Sequence, residues 1–571
     1  MKTHTVSIKI INYCFLFLTS SSFAQWTSNS AINTPVSIGI GKQQELRLCK
    51  DDFGGAFVAW KDGRCNSGAG PNDIYVQHFN ASGYAQWTTG GVALCTESTD
   101  QSTAAITKDM TGGVIVAWSD WRSGIERDVY AQRIDSMGVV QWTLDGVGIA
   151  TKTIREHNEK IISDDNGGAI IVWEQQSGGQ WDIWAQRVSH TGAILWADGG
   201  IPVCTVNANR LNPKVQKDGK GGAYITWQDY RSMTDYDVYA QRISPSGALL
   251  WGGNGIAICT SFGAQVDPKL DPDTISGGIY ISWIDNRTGI DYDIYAQRVD
   301  SMSSVMWANN GVPVTTAVGS QTAQDMLSTS STNGVIITWK DKRNGTNYDI
   351  FAQKLNPLGI PQWTSNGVAI CTSAYDQLNP NIVTDNYGGA IIAWQDSSAL
   401  DWDIKSQRID GNGIIQWATN GVLVSNAVGM QTGPKSVSDG YGGCIYAWED
   451  KRDDVLNSTD LYAHHLYSNG SPLSNIGINE NNSISNISCY PNPFSGSINV
   501  DVELLSNDKL SITIEDILGR LIPVDYYETL LLPKGQHSFK IVTNKEDFSE
   551  GIYFVKITGI GWTKTMKMVK N

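Results

Sequence analysis

Residues 213–259 read PKVQKDGKGGAYITWQDYRSMTDYDVYAQRISPSGALLWGGNGIAIC, and near-copies of this stretch occur eight times along the chain. Two tryptophans mark the period. The first set is Trp60, Trp118, Trp173, Trp227, Trp283, Trp339, Trp394 and Trp448, spaced 54 to 58 residues apart. The second set is Trp26, Trp87, Trp142, Trp196, Trp251, Trp307, Trp363 and Trp417. A fixed period of this size marks one supersecondary unit used repeatedly. Within the unit, PKVQKD, GGAYITW, DVYAQRI and LLWGGNGIAIC are short, rich in β-branched and aromatic residues, and carry no helical period. Turn chemistry separates them. A D-x-x-G-G turn follows the first strand at Asp51, Asp109, Asp164, Asp218, Asp385 and Asp439, with Thr274 and Ser330 read as its replacements in two copies. A second turn sets Asp, Asn or Ser three residues before a glycine, as at Asp135 and Gly138. An Asx side chain closes such a turn and glycine takes its left-handed position.

Four antiparallel strands repeated eight times predict an all-β fold, an eight-bladed β-propeller. The register of the ends predicts how the ring closes. After its leader the chain begins QWTSNSAINTPV, which matches a fourth strand, whereas the last repeat ends at its third, DLYAHHLY. The N-terminal segment is therefore expected to complete the eighth blade.

The two ends of the chain address it. Residues 1–24 read as a signal peptide, with Lys2 and Lys9 before an apolar run and Ser22-Phe23-Ala24 suited to cleavage. The apolar run is too short to span a bilayer. The expected organisation is a propeller over 25–467, an Asn/Ser-rich linker over 468–488, and a small immunoglobulin-like β-sandwich over 489–571. Net charge is −15, which argues against electrostatic binding of nucleic acid. Cys95, Cys204, Cys259 and Cys371 hold one equivalent position in four blades and read as small apolar core residues. Cys49, Cys65, Cys444 and Cys489 admit pairings that sequence leaves open. No zinc spacing is present, and no metal or cofactor is expected.

The C-terminal segment carries a specific resemblance. Tyr490, Pro491, Asn492, Pro493 and Phe494 form YPNPF. IEDILGR surrounds Gly519, GIYFVKI contains Gly551 and Tyr553, and the terminal KMVKN contains Lys567, Val569 and Lys570. Together these resemble a type A sorting domain of the type IX secretion system. The resemblance implies the type IX machinery as partner, passage through the periplasm, and release or attachment at the outer cell surface. The propeller resembles the secreted bacterial propellers that include sialidases. Here, however, the turn spacing is D-x-x-G-x-x-x-W, as in Asp135, Gly138 and Trp142, not the S-x-D-x-G-x-x-W of an Asp-box. Only architecture carries over, and no catalytic residue is assigned.

W-x-D-x-R recurs in six blades, pairing Asp62 with Arg64, Asp120 with Arg122, Asp229 with Arg231, Asp285 with Arg287, Asp341 with Arg343 and Asp450 with Arg452. Repetition points to packing, since one site needs one asymmetric constellation. The expected partner of each arginine is the aspartate that opens the third strand, such as Asp73, Asp128 or Asp237. Blades three and seven hold Ser177 and Ser398 in place of the arginine, and Trp181 and Trp402 are read as filling that volume; sugar-stacking platforms are the rival reading. Positions that break symmetry are better guides to function. Gln43, Gln101, Gln265, Gln321, Gln377 and Gln431 recur near the tunnel mouth, but Glu156 and Arg210 stand there in blades three and four, with Arg155 and His157 beside the first. Trp181 and Tyr230 add aromatic surface. These six residues, Arg155, Glu156, His157, Arg210, Trp181 and Tyr230, are the candidate ligand site. The expectation is a non-enzymatic surface or secreted propeller for adhesion or for binding a glycan or protein. The alternatives are a sialidase-like glycoside-active enzyme and a structural surface component.

Overall fold

The computed structural model describes residues 26–64, 70–329, 334–397, 401–452, 459–472, 484–504, 507–516, 522, 530–543, 548–559 and 562–570. The leader, Cys65 and Gly519 lie outside them, as do most of the linker and the tips of the hairpins in blades one and eight. Residues 34–466 form eight four-stranded antiparallel sheets. The fourth blade is typical, with strands Arg210–Lys217, Ala223–Asp229, Asp237–Ile243 and Ile256–Cys259 in that order. First strands of neighbouring blades touch all the way round, the eighth against the first, so they enclose a central tunnel. In the last blade Thr34–Ser37 pairs antiparallel with Asp460–Leu466, Thr34 facing Ala463. The N-terminal strand thus supplies the outer strand of the blade formed by the C-terminal repeat. That closure covers the edge of Asp460–Leu466, which an open ring would expose.

Each tryptophan set has one job. The first-set indoles are fully buried between blades. Each second-set indole donates from Nε1 to a turn carbonyl of the next blade, as in Trp87 to Ser136 at 3.1 Å and Trp142 to His190 at 2.9 Å. Trp417 reaches Ser468 at 3.0 Å, and Trp26 completes the circle at Ala81, 2.8 Å away. The turn glycine beneath each such indole is forced twice over. Gly138 has φ +79°, and a Cβ there would lie 2.7 Å from the Trp87 ring. Where blade five lacks the glycine, Ser303 takes the same left-handed conformation, φ 76°.

The first turn needs one correction. In blade five its aspartate is Asp273, not Thr274: Asp273 N donates to Gly278 O at 3.0 Å and its carboxylate accepts from Ile275 and Ser276. The turn is one residue longer there. In blade six the same place falls on Thr329, whose N–H donates to Gly334 O at 2.9 Å. The turn carboxylate also anchors the third strand, as in Asp164 with Arg187 and Asp218 with Arg242, both 2.8 Å. Blades one and eight use His78 with Asp51 and His465 with Asp439 instead, both 2.9 Å.

W-x-D-x-R is structural, but its arginine binds within the motif rather than to the strand-opening aspartate. Asp229 accepts from Trp227 Nε1 at 2.7 Å and from Arg231 Nη2 at 2.6 Å, while the guanidinium lies 3.6 Å over Tyr239. Tryptophan and aspartate two residues apart on a strand share a face, so the indole N–H meets its acceptor without rearrangement. In blades three and seven lysines make contacts that the arginine makes elsewhere, while Trp181 packs edge-on to His157; Ser398 lies outside the described residues. Lys152 Nζ lies 4.5 Å over Trp184, and Lys405 replaces the third-strand aromatic and approaches Asp396 to 2.7 Å.

Residues 484–570 form a three-stranded and a four-stranded sheet around a shared core that includes Phe494, Ile498, Ile512, Tyr553 and Met568. Its first strand begins at Ile484, inside the stretch expected as linker. Among the described cysteines, Cys49, Cys95, Cys204, Cys259, Cys371, Cys444 and Cys489 are free thiols.

Candidate functional site: the tunnel mouth over blades three and four

The glutamine ring is a structural device. Gln43 Nε2 donates to Gly41 O at 3.2 Å, Gln101 to Thr99 O at 2.6 Å, and Gln265 to Gly263 O at 2.6 Å. Each ties down the loop that leads into its inner strand. Arg210 does the same work, donating from Nη1 to Val206 O and from Nη2 to Asp182, with 1% of its surface exposed. Glu156 is fully buried, and neither carboxyl oxygen makes a regular hydrogen bond among the described residues. Burial, reinforced by Asp128, pushes its carboxyl up to about 8, with Lys152 opposing. Held neutral, it is a near-isostere of glutamine, with an O–H where the amide N–H would be. The two residues that break the ring pattern therefore present no surface to a ligand.

Their neighbours do. A cavity of about 350 Å³ opens here, lined by Arg127, His157, Asn158, Glu174, Leu211 and Asn212. His157 sits edge-on to Trp181, ring centroids 4.4 Å apart, and Arg155 lies 5.8 Å over the same indole. Tyr230 stands one step round the ring, 5.1 Å from Tyr236. Asn209 joins the two aromatics: its side-chain oxygen accepts from Trp181 N at 3.0 Å, and its carbonyl from Tyr230 N at 2.8 Å.

Electrostatics shape the cavity. His157 is driven down to about 4 by burial and by Arg155, Arg127 and Lys160, so it is neutral at pH 7. Its Nε2 lies 3.8 Å from Glu174 Oε2. Burial raises the Glu174 carboxyl, opposed by hydrogen bonds from Asn158 Nδ2 at 2.6 Å and Asn212 N at 2.7 Å. Asn158 and Asn212 hold left-handed conformations, φ 57° and 56°, at a bulge in the inner strand. Asparagine tolerates that region, so this signal was present in sequence. Arg127 and Glu174 gave no such signal, because what distinguishes them is the company they keep across blades.

The sorting motifs also converge. Phe494 is buried against Phe548 and Tyr553, and Phe494 N donates to Val569 O at 2.9 Å. Asn492 exchanges two bonds with the last strand, to Lys567 O at 3.0 Å and from Val569 N at 2.8 Å. YPNPF and KMVKN, separated by the whole domain in sequence, thus form one corner of the sandwich.

The chain is an exported propeller. Residues 488–571 match the secretion system C-terminal sorting domain family, and type IX secretion carries the protein to the cell surface or extracellular space. No curated protein matches the chain. Solved structures of similar shape include a polysaccharide lyase, an ulvan lyase bound to a glucuronic acid–sulfated rhamnose unit. It is 10% identical, covers 79% of this chain and 96% of its own, and has a TM-score of 0.41. An endo-arabinase from Bacteroides thetaiotaomicron is 11% identical, covering 46% of this chain and 96% of its own, TM-score 0.28. An α-L-arabinofuranosidase from Lactobacillus brevis is 10% identical, covering 49% and 97%, TM-score 0.27. The expectation of a non-enzymatic propeller is corrected by these neighbours, which are glycan-active enzymes. At such identities the likeness concerns the fold, and no activity or residue role is carried over from it.

Proposed function

We propose that the exported propeller engages a glycan at the tunnel mouth over blades three and four. One observation carries the reading: Arg155, His157 and Trp181, adjacent to a cavity of about 350 Å³, bring an aromatic face and polar groups together where the ring symmetry breaks. A sugar ring stacks its apolar face on an indole while its hydroxyls bond the surrounding polar groups. The test is a panel of soluble polysaccharides, read both for binding and for new chain ends, with the parent and Trp181→Ala. Loss of a parental signal in that variant is the expected result. Equal signals in both, or no ligand for the parent, would remove the reading.

A specific observation favours chemistry at the same place. A neutral imidazole 3.8 Å from a carboxyl whose pKa is raised is a pair able to accept and hold a proton. If the panel yields chain cleavage, His157→Gln abolishes it while retaining binding.

A further inference from the structure

The tunnel itself is the second built feature. In each of the eight inner strands the ladder breaks at a bulge, and in seven of them the described residue there is left-handed: Glu45, Asn158, Asn212, Asp267, Ala323, Asn379 and Gly433. Two positions later the chain faces the lumen. That register holds Arg47, Lys160, Lys214, Lys269 and Lys435 in blades one, three, four, five and eight, and Ala105, Asp325 and Asn381 in the other three. A chain of net charge −15 thus sets five cations on a single belt. The lumen beside them is a cavity of about 330 Å³, with Arg47, Lys160, Lys214 and Lys269 in its wall.

The carboxylates in the same wall are turned to other work. Asp271 accepts from Ser328 N at 2.6 Å, Asp325 from Ile382 N and Asn381 Nδ2 at 3.1 Å, and Glu159 from Ser119 Oγ at 2.7 Å. Asp267, at the bulge, reaches Lys214 at 3.7 Å and Lys269 at 3.2 Å. Arg47 and Lys160 bond only carbonyls and the Asn158 amide oxygen, and neither forms an ion pair with a described residue. Burial, with the neighbouring cations, drives Lys214 down to about 7 and lowers Lys160 and Lys435 as well, opposed by Asp267 and Glu174 at Lys214, by Glu159 and Glu174 at Lys160, and by Asp325 and Glu449 at Lys435. The cations therefore sense one another across a confined space without full neutralisation.

We propose that this belt is a binding site for an oxyanion, a sulfate, phosphate or carboxylate group seated in the tunnel among Arg47, Lys160, Lys214 and Lys269. Guanidinium and ammonium groups bind such anions by short charge-assisted hydrogen bonds. The ligand is either a free ion or an anionic group carried on a sugar entering from the mouth cavity, which shares Asn158 with the tunnel wall.

The experiment uses the mature full-length chain with sodium sulfate and sodium phosphate, against sodium chloride at equal ionic strength. Thermal melting and calorimetry are the readouts. The expected result is a rise in melting temperature with sulfate or phosphate beyond the chloride control. In Lys160→Met/Lys214→Met, loss of two charge-assisted contacts weakens binding of the ion by roughly a hundredfold. The same variant, relieved of two like charges, should melt no lower than the parent in chloride. If it fails to fold, Lys214→Gln alone replaces it and must show a reduced sulfate shift. A sulfated disaccharide forms the second arm: binding of both probes identifies a site for pendant groups, and binding of sulfate alone a free-ion site. Identical melting in sulfate and chloride, or a sulfate shift that survives the substitutions, overturns the proposal. Trp181→Ala should leave the anion response intact, which separates this site from the one at the mouth.

Discussion

Glu156→Gln should make the propeller more stable, by an amount set by pH. Glu156 is fully buried and its carboxyl is pushed up from 4.5 to about 8. Below pH 4.5 both the folded and unfolded chains hold the proton, and the glutamate costs nothing relative to glutamine. Between pH 4.5 and 8 the unfolded chain has released the proton while the folded chain retains it. Stability then falls by about 1.4 kcal/mol for each pH unit. At pH 7 the interval is about 2.5 units, so the glutamate costs about 3 kcal/mol. Above pH 8 the loss levels off. Glutamine needs no proton and can donate to the loop carbonyls as six other blades' residues do. Urea unfolding of both proteins at pH 4, 5.5, 7 and 8.5 isolates the effect, because the other titrating groups are common to both. The stability difference should be near zero at pH 4 and grow to about 3 kcal/mol at pH 7. A difference that does not change with pH, or a variant less stable at pH 7, would refute a buried neutral carboxyl at this position.

Removing residues 25–36 should open the ring's closure and leave the edge of Asp460–Leu466 unpaired; light scattering and calorimetry should show association and a lower melting temperature, and an unchanged monomer would contradict closure. Asp229→Ala leaves the buried Trp227 N–H and the Arg231 guanidinium without their acceptor, a loss of about 3–5 kcal/mol measurable as a lower urea midpoint; a loss below about 1 kcal/mol would return the motif to the class of surface ion pairs. Intact-mass measurement of the surface form should place its C-terminus between about Ser468 and Cys489, around the stretch read from sequence as a linker; retention of Asn571 would show that the sorting domain stays on.

How much was legible follows from where each signal resides. Blade number, strand order and closure by Trp26 were readable because they depend on periodic tryptophans and turn residues, and a turn is a local matter of four residues. The shift from Thr274 to Asp273 was missed because a one-residue insertion is invisible until a hydrogen bond shows which side chain closes the turn. The arginine of W-x-D-x-R was assigned to the wrong aspartate for a related reason. Two carboxylates lay within reach, and only the strand register chooses between them.

By itself the sequence determined the repeat, the all-β architecture and the export address, since each is written in short stretches whose physics does not depend on distant residues. Tertiary structure decided which of those residues are usable. Glu156 and Arg210 stood out in sequence as charges in a polar ring, yet folding buries both against their own loops. Arg127, Glu174 and Asn212 were inconspicuous, yet three separate blades bring them around His157. The five cations of the tunnel are spread from residue 47 to residue 435 and become one field only when the ring closes. Burial and the distance between charges set what an ionisable group can do, and both are properties of the closed ring rather than of any one repeat.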